Sequence, residues 1–385
     1  MAAAAPIGNS PINVEFAGTT GVGGYRSPFP FAVKDPPPMT PLKVAIYHAP
    51  SPASAGRKGG VEAAVHRLAN SLAGRDDIDL TVYSSGTAPD DARYAHVSIL
   101  NRSNKRQLTR LLLSPFLLNF QRFGNADVVH LNGDDWFLLR RPSATVRTMY
   151  GSALHEARTA STLKRRLMQT LVFRLEKIAI RLAKRTIAIG RETHDLYGTD
   201  MIIGMSVDRD TYLPAPKTDH PSVFFVGGWS ERKRGEFMYD TFIDKVLPQV
   251  PDARLYMVTD VERPHPSVTF LKKLSDADLA HHLAKAWVFA YPSLYEGFGI
   301  AYIEAMACGT PIVTTPNAGA ADVLDDGCYG SIVNDDRFGD EIVALLGDEE
   351  RRAAMIEQGR IRAECYDERR IAEQNISVYR QAAQQ

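Results

Sequence analysis

The stretch YPSLYEGFGIAYIEAMACGTPIVTTPNAGAADVL, residues 291–324, contains the clearest structural signals in this chain. An apolar strand ends near Ser293, a loop with Glu296 follows, and an apolar helix begins at about Ile300. Gly309 and Pro311 end that helix, because glycine suits a helix C-terminus and proline cannot continue a helix. The order strand, loop, helix is the unit of α/β proteins.

The same stretch has features of an anion-binding site. Gly297 and Gly299 precede the helix, so backbone N–H groups can approach a ligand closely, and a helix N-terminus favours a phosphate. Glu304 lies in an otherwise apolar segment, where a carboxylate needs a polar partner or a wet cleft. Spacing alone leaves a second interpretation open, in which Glu304 pairs with a nearby base and Glu296 is an ordinary loop acid.

Strand-like runs on both sides of this stretch alternate with helical segments. They cover 42–49, 79–85, 126–132, 144–151 and 185–190, and then 222–228, 253–259, 287–293, 310–315 and 330–334. This alternation predicts an α/β protein with two Rossmann-like, doubly wound parallel sheets. Ligands of such sheets bind beyond the carboxyl ends of the strands, so we expect the site in a central cleft between two domains.

Length and composition fit this architecture. The 385 residues suit two domains, and 44% hydrophobic with 23% charged residues exclude general disorder. We predict a Pro- and Gly-rich arm over 1–41, domains over 42–214 and 215–365, and a C-terminal helix over 366–385 that packs on the first domain. Neither an apolar run long enough to span a membrane nor a secretory leader is evident, and the three cysteines form no CxxC pair, so we expect a cytoplasmic protein.

Charge is distributed unevenly although the net charge is zero. Residues 1–214 hold 27 Lys and Arg against 18 Asp and Glu, and residues 215–385 hold 18 against 27. The basic residues concentrate in 102–123 and 158–185, interleaved with apolar ones. These segments predict either helices packed on the sheet with a solvated basic face, or a peripheral contact with an anionic membrane surface. No nucleic-acid-binding module accompanies them, so no nucleic acid is expected.

Residues 292–313 resemble the E-x7-E signature of retaining family-4 glycosyltransferases, which have the GT-B fold of two facing Rossmann-like domains. Downstream, Gly319 and Asp322 stand where that family has GG-x-x-E, with Asp in place of Glu. The resemblance implies a hexosyltransferase that moves a sugar from a nucleotide diphosphate, UDP- or GDP-linked, to a hydroxyl of a small-molecule, glycan or lipid-linked acceptor. It also implies a front-face mechanism without a metal or a cofactor.

The resemblance assigns roles to residues of the second domain. Glu296 is expected to bind sugar hydroxyls and Glu304 the ribose diol, a suitable task for an acceptor-only carboxylate. The remaining donor-binding positions are Gly227, Gly228, Arg232, Leu274, Gly297, Phe298, Gly299 and Ile300. The family's usual Arg is replaced by Gly228, so we expect Arg234, or its neighbours Lys233 and Arg232, to neutralise the departing diphosphate.

The first domain departs further from the family pattern. Gly59 and Gly60 match its Gly-Gly loop at the donor diphosphate, whereas the usual catalytic His is replaced by Tyr150, with His155 as the alternative. His130, Asn132 and Asp134, at and after the end of the strand at 126–132, are expected on the acceptor side. A second interpretation, in which Asp134 and Asp135 only cap a turn, stays open. These departures leave a second functional class open, a non-catalytic GT-B protein that binds a nucleotide sugar or a partner. The Asp-x-Asp sequence at 276–278 opens a helix and is not interpreted as a metal site.

Overall fold

The computed structural model describes residues 40–48, 60–84, 87–99, 114–133, 135–139, 144–158, 162–230, 232–272 and 274–384. These residues belong to one compact unit that begins at Thr40. Most of the predicted arm, together with Gly59 and Asp134, lies outside the described residues.

The first lobe is built on a seven-stranded parallel sheet in the order β3-β2-β1-β4-β5-β6-β7. Its strands are β1 (Leu42–His48), β2 (Ile78–Ser84), β3 (Ala95–Ser98), β4 (Val128–Leu131), β5 (Ala144–Met149), β6 (Arg185–Ala188) and β7 (Met201–Ile202). Its helices are α1 (Gly60–Ala73), α2 (Ser114–Leu117), α3 (Ala153–Arg158), α4 (Leu163–Leu182) and α5 (Arg191–Tyr197). The strand order reverses between β1 and β4, and the crevice at such a reversal is where these sheets bind ligands.

The second lobe has a six-stranded parallel sheet in the order β10-β9-β8-β11-β12-β13. Its strands are β8 (Ser222–Val226), β9 (Arg254–Val258), β10 (Val268–Leu271), β11 (Val288–Tyr291), β12 (Ile312–Thr314) and β13 (Ser331–Ile332). Its helices are α6 (Gly235–Thr241), α7 (Asp276–Lys285), α8 (Ile300–Ala307), α9 (Ala318–Val323), α10 (Asp335–Gly347) and α11 (Glu349–Glu364). The prediction of two doubly wound parallel sheets is therefore confirmed, and the second reversal lies between β8 and β11.

Helix α12 (Glu368–Ala383) returns from the second lobe to the first. Its apolar face, which includes Ile371, Ile376 and Tyr379, joins the core between the first sheet and α1. The Tyr379 hydroxyl lies 2.8 Å from Nδ1 of His130 on β4, so a buried polar contact accompanies this packing. No helix in the described part of the chain is both long enough and apolar enough to cross a bilayer.

Candidate active site

A cavity of about 500 Å³ lies between the two lobes, at the carboxyl ends of both sheets. The first lobe lines it with the start of α1 and with residues that follow β5 and β6. The second lobe lines it with residues that follow β8 and β11 and with the first turns of α7 and α8. The predicted site residues that line it are Gly60, Tyr150, Gly227, Arg232, Lys233, Glu296, Gly297, Phe298, Gly299, Ile300 and Glu304.

Glu296 is held in the loop that follows β11, which we call the Glu296 loop (residues 292–299). Its side chain is only 8% exposed and forms an ion pair with Nζ of Lys233. The Ser293 hydroxyl donates a hydrogen bond to the same carboxylate oxygen. Lys233 also contacts the Tyr291 hydroxyl and lies 4.4 Å from the centre of the Tyr291 ring. Lys233 and Ser293 therefore hold the Glu296 carboxylate in place in the cavity wall, where it is almost completely shielded from solvent.

Two glycines give the Glu296 loop its shape. Gly299 has φ +87°, and a Cβ at this position would overlap the Tyr302 ring, so a larger residue is excluded on both counts. Gly319 of α9 packs against the loop so closely that a Cβ would lie 2.5 Å from the Phe298 carbonyl oxygen. The Gly319 N–H donates to the Glu296 carbonyl at 3.0 Å, so α9 supports the main chain of the loop.

Glu304 lies on α8 and is 5% exposed, and it lines the same cavity as Glu296. The N-terminus of α8, at Gly299 and Ile300, opens onto the cavity between these two acids. Its free backbone N–H groups and helix dipole favour an anion there. Burial, together with the Glu296 carboxylate, raises the pKa of Tyr291 well above its usual value, so its phenol remains a hydrogen-bond donor.

The loop between β8 and α6, residues 227–234, which we call the basic loop, divides its basic side chains between two environments. Lys233 and Arg232 line the cavity, and Nη1 of Arg232 donates to the Tyr295 carbonyl at 3.1 Å. Arg234 does not line the cavity: its backbone has φ +60°, and its guanidinium binds both oxygens of Asp335 at 2.7 and 2.6 Å. The expectation that Arg234 is the main phosphate cation therefore does not fit its position, and the two alternatives predicted with it do.

Two other predicted donor positions also lie away from the cavity lining. Gly228 follows Gly227 and uses its carbonyl to accept from the Gly235 N–H at 3.1 Å, which closes the basic loop. Leu274 is partly buried and packs on the core of the second lobe ahead of α7. Both residues belong to segments that carry lining residues, but Gly228 and Leu274 do not themselves line the cavity.

On the first lobe, Tyr150 lines the cavity at the end of β5. Its hydroxyl donates to Oδ1 of Asn132 at 2.8 Å, so the phenol hydrogen is already used within the lobe. Asn132 is 2% exposed and does not line the cavity. His155 stacks on Tyr295 of the Glu296 loop with ring centres 5.3 Å apart. Asn132 and His155 thus support lining residues, which differs from the predicted direct roles.

His130 is not an acceptor-side residue. It is fully buried in β4, and its two ring nitrogens lie 2.8 Å from the hydroxyls of Tyr379 and Thr148. Burial lowers its pKa to about 3, so the imidazole is neutral. The prediction placed His130 at the strand end, whereas both hydroxyl partners come from elements packed inside the lobe.

Arg67, Asp276 and Tyr295 are among the lining residues that were not predicted as site residues. Arg67 of α1 reaches the cavity wall, and its buried Nε has no hydrogen-bond partner among the described residues. Asp276 lines the cavity at the start of α7, although Ser275 caps that helix as its sequence suggests. Tyr295 belongs to the Glu296 loop itself. The 3.6-residue period of a helix places Gly60, Ala63 and Arg67 on one face of α1, so the prediction of Gly60 as a site residue could have been extended to Arg67.

Comparison with known families gives two matches along the chain. Residues 58–201 match the family described as Glycosyltransferase Family 4, and residues 220–348 match the family described as Glycosyl transferases group 1. The two matches cover the first and second lobes in turn, and the second contains the Glu296 loop and α8.

Individual relatives agree with these matches. The chain is 26% identical to a phosphatidyl-myo-inositol mannosyltransferase of Mycobacterium tuberculosis over 292 residues, 68% of this chain and 75% of that protein. It is 34% identical over 148 residues, 31% of this chain and 38% of the relative, to a GDP-mannose-dependent monoacylated alpha-(1-6)-phosphatidylinositol monomannoside mannosyltransferase of Corynebacterium glutamicum. The structure of sucrose-phosphate synthase from Thermosynechococcus elongatus superposes with a TM-score of 0.72 at 19% identity, covering 88% of this chain and 98% of that one. The fold is therefore that of GT-B glycosyltransferases.

Proposed function

The chain belongs to the family-4 glycosyltransferases, and we propose that it transfers a hexose from a nucleotide diphosphate to a hydroxyl group with retention of the anomeric configuration. One observation carries this proposal: Glu296, Lys233 and the N-terminus of α8 line one cavity between the lobes. A carboxylate binds sugar hydroxyls, and a cation with free N–H groups binds a diphosphate. The arrangement therefore presents both halves of a nucleotide sugar with complementary groups.

The proposed mechanism depends on stabilising the leaving diphosphate. Negative charge develops on the β-phosphate as the sugar–oxygen bond breaks, and Lys233, Arg232 and the N–H groups at Ile300 are the groups that oppose it. In a front-face reaction the leaving phosphate accepts the proton of the attacking hydroxyl, so no protein base is required. A diphosphate would compete with Glu296 for the Lys233 ammonium and release the carboxylate to the sugar. We propose that neither a metal nor a cofactor takes part, and excess EDTA should leave the rate unchanged.

We propose GDP-mannose as the donor. The relative from Corynebacterium glutamicum is described as GDP-mannose-dependent, and the Mycobacterium tuberculosis relative as a mannosyltransferase. Asp276 lines the same cavity as Glu304, so a second carboxylate lies at the part of the cavity proposed for the nucleotide. Guanine offers an N2 amino donor to such an acceptor, whereas uracil has no amino group.

The test is a donor panel with the purified full chain. GDP-mannose, GDP-glucose, UDP-glucose and UDP-N-acetylglucosamine are compared for release of free nucleotide and for thermal stabilisation, because a ligand that binds the native state raises Tm. We expect GDP-mannose to be hydrolysed slowly and to stabilise most. Hydrolysis confined to the UDP sugars rejects the donor, and no hydrolysis or transfer with any donor rejects the enzyme in favour of a binding protein.

We propose further that α4 places the enzyme on an anionic membrane surface, next to a lipid-linked acceptor. Val172, Leu175 and Ala179 are the buried residues of α4 and face the lobe. On the exposed side a single stripe at helical spacing consists of Leu163, Leu167, Leu171, Arg174, Ile178 and Arg181. Leu163 and Leu167 are 71% and 63% exposed, and Lys164, Arg165 and Arg166 lie beside them. Apolar side chains next to cations suit the headgroup region of anionic lipids.

Vesicle sedimentation tests this placement. The native chain should bind vesicles that contain phosphatidylglycerol and should bind pure phosphatidylcholine weakly. Replacing Leu167 and Leu171 by Glu should abolish binding, whereas Ile361→Glu, at a position 53% exposed on α11, should leave it unchanged. Equal binding to both vesicles would contradict an electrostatic membrane contact. Residues 102–113 of the other basic segment lie outside the described residues, and its exposed Phe116 and Phe120 are the positions to vary next.

A further inference from the structure

The two lobes meet at a polar contact beside the cavity. Asp322 of α9 accepts from the Arg191 backbone N–H at 2.6 Å, and its other oxygen binds Nε of the same residue. Nη2 of Arg191 donates to the Ala321 carbonyl at 2.6 Å. The Asp322 side chain is 12% exposed and the Arg191 side chain is 50% exposed, so the carboxylate is largely buried while the guanidinium remains partly accessible to solvent.

Gly190 allows this close approach. Its backbone is extended, with φ −158°, which any residue can adopt, so conformation does not require glycine there. The available space does require glycine, because a Cβ at position 190 would overlap Oδ2 of Asp322. The other atoms nearest to this Cβ, including the Gly297 carbonyl oxygen, would lie 3.6 Å away. An alanine at 190 therefore acts almost only on Asp322.

Helix α9 connects this contact to Glu296. One turn before Asp322, Gly319 donates its N–H to the Glu296 carbonyl and packs on Phe298. The other side of α9 is braced within its own lobe, where Arg362 donates to the carbonyls of Asp322 and Val323 at 3.0 Å. Helix α9 therefore contacts both the first lobe and the main chain that carries Glu296.

We propose that Asp322 and Arg191 are positioning residues, which couple the approach of the two lobes to the placement of Glu296 on the donor sugar. The inference rests on the proposed transfer reaction. Neither residue lines the cavity, so both act through the Glu296 loop. Asp276 on α7 and Glu304 on α8 form none of the hydrogen bonds of this contact, so we expect nucleotide binding to change little, which separates a positioning role from a binding role.

The first experiment separates turnover from nucleotide binding. Asp322→Asn keeps the shape and removes the charge, and we expect kcat for GDP-mannose hydrolysis or transfer to fall 10- to 100-fold. The Kd for GDP, measured by calorimetry, should change less than 3-fold, and Tm should stay within a few degrees. Asp325→Asn is the matched control, because it removes an exposed acid three residues away, and it should behave as the native chain. A kcat within 2-fold of native for Asp322→Asn, or a parallel loss of GDP affinity, would overturn the inference.

A double-mutant cycle tests the contact itself. Gly190→Ala should lower kcat as Asp322→Ala does, because each separates α9 from the first lobe. The double variant should be no slower than Asp322→Ala alone, since the added methyl then meets no carboxylate. Losses that multiply would mean that the two positions act independently, and the inference would be wrong.

Small-angle X-ray scattering keeps the inference testable if the proposed function fails. With GDP bound, Asp322→Asn should show a larger radius of gyration than the native chain, because the lobes separate more often. Equal radii would overturn the coupling whatever reaction the protein catalyses. Absence of turnover in the native chain would reject the proposed function alone.

Discussion

The two lobes share one architecture but place their buried polar side chains differently. In the second lobe the buried strand positions are almost all apolar, and the buried carboxylates Glu296 and Glu304 lie beyond the strand ends. In the first lobe His130 and Arg147 lie inside β4 and β5 and are at most 2% exposed. In the second lobe the apolar strands form the scaffold and the buried acids lie outside them, so the site residues can be predicted from the sequence. In the first lobe buried polar side chains support the sheet, so a polar residue there is weak evidence of a site.

The largest effect that this contrast predicts is in the second lobe, at Glu296. Glu296→Gln should lower kcat on the order of 10³-fold, because it removes the carboxylate that we propose orders the sugar in the transition state. Glu304→Gln is the matched variant on α8, and it should mainly raise KM through weaker ribose binding. Steady-state kinetics of both variants with GDP-mannose checks this split. Near-native turnover by Glu296→Gln would remove the chemical distinction between the lobes.

In the first lobe the largest expected effect is on stability. Asp135 and Arg147 form an ion pair in which both side chains are 2% exposed. Burial raises the pKa of Asp135, and Arg147 opposes that rise. Asp135→Asn should lower the free energy of unfolding by on the order of 3 kcal/mol, since a buried guanidinium loses its countercharge. Urea denaturation measures this.

Activity provides the control for that variant. Below its Tm, Asp135→Asn should keep the native KM for the donor, because the ion pair lies away from the cavity lining. Replacing both partners, as in Asp135→Leu with Arg147→Met, should recover part of the lost stability. A changed KM with unchanged stability would show that the buried pair belongs to the site.

Within the basic loop a smaller effect distinguishes two neighbouring cations. Lys233→Ala should lower kcat/KM by on the order of 10²-fold, because it removes a positive charge from the cavity in which we propose that the diphosphate leaves. Arg234→Ala should change kcat/KM less than 3-fold, since Asp335 already binds that guanidinium. The two rate constants, measured side by side, decide which side chain serves the phosphate. A larger loss for Arg234→Ala would restore the assignment made from the sequence.

This loop shows where sequence reasoning fails. ERKR places four charged residues together, and nothing local determines which side chain turns inward. The left-handed backbone at Arg234 and a partner 101 residues later direct its side chain away from the cavity. By contrast, the Glu296 loop follows from local chemistry, because Gly299 must adopt φ +87° before α8 begins. Local constraints were predictable, and long-range pairings were not.

The fold, like the Glu296 loop, was predicted from local sequence patterns. The apolar central strands β1, β4, β8 and β11 were predicted, since strands buried on both faces have near-continuous apolar sequences. The sequence pattern did not predict β3, β7 and β10, which are all edge strands of their sheets. They are short, two to four residues, and their side chains are largely exposed or intermediate, so no apolar run marks them.

The smallest effect concerns Glu368, where the chain re-enters the first lobe as α12. Burial and then the nearby Asp208 raise its pKa to about 7, against the opposing charge of Arg67. Because the folded pKa exceeds the unfolded value of 4.5, its contribution to stability is complete below about pH 4.5 and is lost as the pH rises through 7.

Glu368→Gln should therefore flatten the dependence of Tm on pH between 5 and 8 and raise Tm by a few degrees at pH 8. A shift of this size corresponds to about 3 kcal/mol for a fully buried group, and we expect about 1 kcal/mol because solvent screens part of this carboxyl. Glu373→Gln, on an exposed position of α12, should leave the pH profile unchanged. If Glu368→Gln leaves the native slope in place, the groups that set the pH dependence lie within one lobe, as Asp135 does, and not at the junction between them.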